Sequence, residues 1–326
     1  MKRPLDLPEL LVTAIIPAYG RPALLRKAVH SLLQQDLDPH QYEVIVVDSS
    51  PDDQNRSVIS ELQREAQCAL RFFKKPPEGP GPSRNLGARE ARGRLLAFMD
   101  SDCQASPQWL REGAAGFDHK VGLVQGRTLP EPGIPHSVFN HYIIIEQESP
   151  LYETANMLYG RDVFDQAGGF RADLNPMSDT PMGGEDADLA WRCKRNGWQS
   201  RFAARALVYH EVVKMPPWRW VFSKRLFIYP LMLKEFPEMR SLVFAGVFYD
   251  KIHALLLLAL AGVGFALATP WALLLVLPYV LGRTSQSSRT LRGPIRLLRV
   301  LLYLPRDLVS LSILLAGSIR YRYLLL

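Results

Sequence analysis

Leu95-Leu96-Ala97-Phe98-Met99-Asp100-Ser101-Asp102 is an apolar run that ends on two carboxylates. Five consecutive apolar residues without a helical stripe read as a buried strand, and the acids then fall at its carboxyl end. Upstream, Val12 to Pro17 and Glu43 to Val47 have the same character, the second ending at Asp48. Between them, Leu24, Leu25, Ala28, Val29, Leu32 and Leu33 form the apolar face of a helix over Pro22 to Gln35. A helix over about Gln54 to Gln67 and a short strand, Leu70 to Phe73, follow. Pro76 to Pro82 reads as a loop, with a helix from an N-capping Ser83 to Ala91. Strand and helix thus alternate, which predicts an α/β fold with right-handed crossovers and a mainly parallel sheet. Ligands of such sheets collect beyond the strands' carboxyl ends. Pro17-Ala18-Tyr19-Gly20, Asp48 and Asp100-Ser101-Asp102 all lie on that rim.

A second acidic cluster, Glu185-Asp186, follows Gly183-Gly184 and opens a helical stretch, Ala187 to Asn196. One cluster can hold a divalent cation against a diphosphate, and the other can supply a base. That division predicts an enzyme acting on an activated, phosphate-bearing donor.

The charge is unevenly placed. The chain carries a net +7, but from Glu211 onward there are 15 Lys and Arg against 5 Asp and Glu, so +10, leaving −3 before it. The basic third is also the apolar third, which points to an anionic membrane surface more than to nucleic acid as a partner. Three cysteines, Cys68, Cys103 and Cys193, lack metal-site spacing and read as free thiols in a reducing compartment. Met1 to Leu11 has no apolar signal core, so the catalytic part is expected on the cytoplasmic side of the cell membrane.

Several motifs together resemble family 2 inverting glycosyltransferases: Ile15-Ile16-Pro17-Ala18-Tyr19, Val46-Val47-Asp48-Ser49-Ser50, Gly81-Pro82-Ser83-Arg84-Asn85-Leu86-Gly87 and Phe98-Met99-Asp100-Ser101-Asp102. Asn156-Met157, Gly168-Gly169-Phe170 and Gly184-Glu185-Asp186-Ala187-Asp188 are similar to its later half. The resemblance, over about Thr13 to Glu211, implies a GT-A fold with a Rossmann-like sheet flanked by helices. It implies a transferase domain over 1–215, with a nucleotide-binding half to about 105 and an acceptor half over 106–215.

It also implies roles. Asp102 would ligate Mn²⁺ or Mg²⁺, with a late His210 as a second ligand, and the cation would assist departure of the nucleotide diphosphate. Pro17, Ala18, Tyr19, Asp48, Arg84, Asp100 and Ser101 would bind the nucleotide-sugar donor, with Asp48 accepting from the base and Arg84 near phosphate. Asp186, held ionised by a helix N-terminus, would be the general base, and Glu185 would orient the acceptor or its loop. Arg219-Trp220 is similar to the end of the family's processive Q-x-x-R-W motif, but Pro216 replaces its polar first residue. Trp218, Arg219 and Trp220 then read as a lid or an interfacial aromatic belt, with Trp218 and Arg219 as candidate acceptor contacts.

Residues 216–326 are expected to be a membrane-associated helical region. Ile252 to Leu281 contains no Asp, Glu, Lys or Arg and is divided by Thr269-Pro270-Trp271, which suggests a hairpin or re-entrant pair. Leu291, Ile295, Leu298 and Leu302 share one face beside Arg292, Arg296 and Arg299, an amphipathic basic helix over about 291–306. The resulting expectation is metal-assisted sugar transfer to a hydroxyl of a lipid-linked or polysaccharide acceptor, as in cell-envelope glycan synthesis. The alternatives are a processive polysaccharide synthase or a non-catalytic nucleotide-sugar-binding scaffold at membranes.

Overall fold

The structure, a computed structural model, describes residues 10–134, 137, 139–174, 183–285 and 297–326. It divides into two units: residues up to 135 with 141–213, and residues 136–140 with 214–326.

The first unit holds β1 (Val12–Ala18), α1 (Pro22–Leu33), β2 (Tyr42–Asp48), α2 (Gln54–Leu62), β3 (Ala69–Lys74), α3 (Pro80–Glu90), β4 (Leu95–Phe98), β5 (Cys103–Ala105) and α4 (Trp109–Ala114). It continues with β6 (Val121–Pro130), a two-residue β7 (Asn140–His141) at its margin, β8 (Met157–Gly160), α5 (Arg161–Ala167), α6 (Glu185–Arg195) and β9 (Gln199–His210). Eight strands form one sheet in the order β3-β2-β1-β4-β8-β6-β9-β5. β3, β2, β1 and β4 pair in parallel, as their helical crossovers require. β8 runs against both β4 and β6, and β5 runs against β9, so the sheet is mixed. β6 and β9 pair in parallel with two irregularities of register. The largely apolar strands β1 and β2 are buried on both faces: Val12, Ala14 and Ile16 pack on one side with Leu25, Val29 and Leu32, and Ile15, Ile45 and Val47 pack on the other.

Two local expectations fail, each for a physical reason. α3 begins at Pro80, not at Ser83, because a proline's fixed φ and missing N–H suit a helix's first turn. Ser83 is buried inside the helix, its hydroxyl donating to the Gly79 carbonyl at 3.3 Å. α2 stops at Leu62, where the buried stripe of Val58, Ile59 and Leu62 ends and Gln63 turns its amide to the Leu70 carbonyl (2.8 Å).

The second unit is helical: α7 (Pro217–Val221), α8 (Tyr229–Glu235), α9 (Lys251–Phe265), α10 (Leu277–Ser285) and α11 (Leu298–Tyr321), with 3₁₀ turns at Lys224–Ile228, Pro237–Leu242 and Pro270–Val276. Asp250 caps α9, its carboxylate accepting the His253 N–H at 2.9 Å. Of the basic helix expected over 291–306, residues 291–296 lie outside the described residues. From Leu298 onward the chain is α11, and Arg299 is buried instead of facing outward. Among the described residues, α11 is long and apolar enough, by length and composition, to cross a membrane (mean hydropathy 1.6).

A carboxylate site at the sheet's carboxyl edge

Strand register gathers this site. β4 ends at Phe98, so Met99 to Asp102 leave the sheet at its carboxyl edge. Phe98 pairs with Met157, which sets the short 3₁₀ turn Thr154–Asn156 just beyond that end. Cys103 pairs with His210, which brings the neighbouring Asp102 to the end of β9. α6 points its first turn at the same place after Gly184, whose φ of +88° suits glycine.

Arg84 is the hub. Its guanidinium is buried and reaches Asp100 at 2.8 Å, Glu185 at 3.4 Å and Asp186 at 3.5 Å. Its Cζ lies 5.5 Å from the centre of the Phe170 ring. Burial disfavours its charge, but Asp186, Asp100 and Glu185 outweigh burial and hold the guanidinium more firmly protonated than usual. Asn85 fixes the Phe170 backbone from both sides, donating to its carbonyl (2.8 Å) and accepting from its N–H (2.9 Å).

Asp186 accepts from the Thr154 N–H (3.0 Å) and hydroxyl (2.9 Å). Burial and, after it, the charge of Glu185 push its carboxyl up to about 7, although Arg84 and Thr154 pull the other way. The helix terminus therefore does not keep Asp186 ionised as expected, since burial beside a second carboxylate is the larger effect. Asp188 turns away, paired with Arg192 at 2.6 Å.

On the rim's other side, Asp48 is fully buried. One of its oxygens takes the Ser50 N–H (3.1 Å) and the Asn55 amide (2.9 Å), and the other takes Lys74 (2.8 Å). Burial opposes its ionisation, yet Lys74, Ser50 and Asn55 hold the carboxyl below its usual range. Tyr19 is half exposed, while Ala18 and Ser101 are buried and Pro17 is partly so.

Asp102, Cys103 and His210 each offer a ligand atom within 4.8 Å of the others. His210 places Nδ1 2.7 Å from the Glu211 carbonyl. Donation there leaves the Nε2 lone pair, 3.9 Å from Asp102, for a ligand. A carboxylate suits Mn²⁺ or Mg²⁺, an imidazole beside it favours the transition metal Mn²⁺, and a thiol suits neither. Burial holds the Cys103 thiol well above its ordinary value, and its side chain belongs to the apolar core. Asp102 and His210 fit the cation, and Cys103 is packing. Arg21 now occupies Asp102, at 2.9 Å.

Trp218 and Arg219 lie in the helical unit on α7, where Trp218 is largely exposed. Trp220 is not part of a belt. It is buried edge-on against Phe139 (5.5 Å) and Tyr303 (5.0 Å). Sequence reading passed over Thr154, Lys74 and Arg21. Lys74 ends the strand beside Asp48 and was findable from strand alignment, but Thr154 and Arg21 carry no local signal.

The acids gather around one arginine at the carboxyl edge of an α/β sheet, the edge at which such sheets bind ligands. Residues 13–173 match the family described as "Glycosyl transferase family 2". The glycosyltransferase AglE of Haloferax volcanii is 24% identical over 217 residues, covering 64% of this chain and 67% of that protein. The GalNAc(5)-diNAcBac-PP-undecaprenol beta-1,3-glucosyltransferase of Campylobacter jejuni is 30% identical over 121 residues, 36% of this chain and 38% of its own length. Among solved structures, the mannosyltransferase PcManGT of Pyrobaculum calidifontis, in complex with GDP-Man and Mn²⁺, superposes with a TM-score of 0.60. It is 17% identical, covering 98% of this chain and 91% of that one, and shows a shared GT-A-like fold. The chain carries a family 2 glycosyltransferase domain and is a glycosyltransferase.

Proposed function

We propose that the chain transfers a sugar, with inversion, from a nucleotide diphosphate to a hydroxyl of a lipid-linked or polysaccharide acceptor at a membrane. The single observation that carries this reading is Asp186: a carboxyl poised near neutrality, oriented by Thr154, in ion-pair reach of an arginine that also holds Asp100. A base in this position takes the acceptor's proton as its oxygen attacks the anomeric carbon, and a poise near the working pH suits that task. Glu185 raises the affinity of Asp186 for that proton. Arg84 keeps the acids together and faces the donor side through Asp100.

Asp102 and His210 would hold a divalent cation, which, when bound, acts as a Lewis acid toward the departing diphosphate. Asp48 with Lys74, and Pro17 to Tyr19 with Ser101, form the donor's nucleotide end. Trp218 and Arg219 are assigned to the acceptor. The lipid-linked acceptor class is supported by the undecaprenol-linked substrate named for the Campylobacter relative and by this chain's basic, apolar C-terminal third. Tethering would raise the local concentration of such an acceptor. The sugar-transferring unit is assigned to the cytoplasmic side.

Asp186→Asn tests the assignment. Transfer should fall by about 10²–10⁴-fold with nucleotide affinity nearly unchanged, read by product formation and by calorimetry. Weakened nucleotide binding with normal turnover of the bound fraction would refute it.

A further inference from the structure

α11 has the length of a membrane crossing, about 36 Å for its 24 residues. Its packing within the helical unit argues otherwise. Trp220 meets Tyr303 edge-on and lies under Arg306 (4.8 Å). Seven residues later Phe227 meets Tyr321 (ring centres 5.6 Å apart), and a Cβ on Gly317 would run into the Phe227 carbonyl. Lys234 then donates to the Tyr321 carbonyl at 3.0 Å, and Arg240 to the Tyr323 hydroxyl at 2.9 Å. The chain from Trp220 to Phe227 therefore accompanies α11 from Tyr303 to Tyr321, and Lys234 and Arg240 stay at that C-terminal end. Exposed Lys224 and Arg225 stand between the Trp220 and Phe227 contacts. If α11 crossed a bilayer, those two cations would sit within the hydrocarbon layer, where charged side chains are rare and costly.

The apolar stretch behind α11 is also too short to cross. α9 has 15 residues, about 22 Å, against a hydrocarbon core of about 30 Å. It doubles back: a Cβ on Gly262 would lie 2.6 Å from the Ala272 carbonyl oxygen, so the returning turn rests on the helix backbone. Both ends of this hairpin are anchored on α11. Ile252 and Leu256 pack with Tyr279 against Val300 and Leu304. Tyr279 and Arg283 both donate to Asp307, each at 2.7 Å. The far end has no such cover. Phe265, Leu267 and Trp271 are 64%, 99% and 79% exposed.

We propose that the helical unit is a monotopic platform on an anionic lipid leaflet. α11 lies in the plane of the interface, and the α9–α10 hairpin dips into that one leaflet and returns. Charge complementarity supports the lipid as occupant: residues 214–326 carry 15 Lys and Arg against 4 Asp and Glu, so +11, while 252–282 carry none of either sign. The inference rests on the membrane attachment proposed above and adds its depth and sidedness.

The native cysteines are buried, so single introduced cysteines report position. Leu297→Cys and Arg322→Cys bracket α11 at exposed sites, and Leu267→Cys marks the hairpin tip. Each full-length variant is probed with a membrane-impermeant maleimide in right-side-out and inverted vesicles from an expressing bacterium. The expected result is labelling of 297 and 322 from the same side, and of 267 from neither. Labelling of 297 and 322 from opposite sides would overturn the platform while leaving membrane attachment intact. Labelling of 267 from either side in membrane-bound protein would overturn the dip. Protein found entirely in the soluble fraction would overturn the attachment itself.

Discussion

Each unit of this protein buries an arginine among carboxylates, and the two clusters are balanced differently. In the helical unit, Arg283 pairs with Asp307, which a tyrosine hydroxyl also satisfies, and its charge also favours the ionised form of Asp250. In the sheet unit, Arg84 faces three acids and can neutralise one of them. The first cluster is complete and behaves as a staple between α10 and α11. The second is buried and short of positive charge, and burial first, with the charge of Glu185 after it, lets Asp186 hold a proton up to about pH 7. A closed account of charge gives rigidity, whereas an open one gives chemistry.

Breaking the staple should be the larger blow to stability. Asp307→Ala leaves Arg283 buried without its counter-ion, and removing one partner of such a pair costs about 3–5 kcal/mol. The measurement is denaturant or thermal unfolding of the purified chain. A cost under about 1 kcal/mol would mean that water reaches Arg283 and that the cluster is not a staple.

Widening the imbalance should move chemistry more than stability. Arg84→Met removes the cation that favours ionised Asp186, and an opposite charge at this range is worth about 1–3 pKa units. The limb of kcat/KM that rises with pH should start near pH 7 and move up by roughly that amount. Stability has the opposite sign of pH dependence. Asp186 binds its proton more tightly in the folded chain than its ordinary 3.8 allows, so its contribution is fully present below that value and is lost as pH rises toward 7. Asp186→Asn should flatten that slope. An Arg84→Met rate profile superimposable on the parent would detach Asp186 from the proton that the rate depends on.

The same contrast explains what could be read from the chain alone. The strands were legible because Ile45-Val46-Val47 and Leu96-Ala97-Phe98 are apolar on both faces, and their carboxyl ends showed where the acids gather. Asp100, Arg84 and Asp186 could all be assigned to the site, but not the ion pairs by which Arg84 joins the two acids, because these depend on how α3 and α6 meet in the fold. Thr154 was invisible: its place is set by the antiparallel pairing of β8 with β4, a long-range event with no local pattern. In the helical unit hydropathy found the apolar segments but mistook facing. Trp220 and Arg299 turn inward because α7 and α11 bury them, and amphipathic spacing does not fix which helix becomes the neighbour.

The smallest expected effect concerns Asp102, a rim acid whose partner is half in solvent. Arg21 lies 2.9 Å from Asp102 with about half its side chain in solvent, and such surface pairs contribute about 0.2–1 kcal/mol. A divalent cation on Asp102 and His210 has to displace that guanidinium. Arg21→Gln should therefore tighten Mn²⁺ binding by up to about 5-fold, a factor that corresponds to the upper end of the range, measured by electron paramagnetic resonance of free Mn²⁺ without donor. His210→Ala should weaken binding in the same assay, because it removes the imidazole whose Nδ1 contact with the Glu211 carbonyl directs Nε2 toward Asp102. If Arg21→Gln leaves Mn²⁺ affinity unchanged while His210→Ala lowers it, the cation binds beside the Arg21–Asp102 pair without breaking it. The open charge account at this rim would then rest with Arg84 alone.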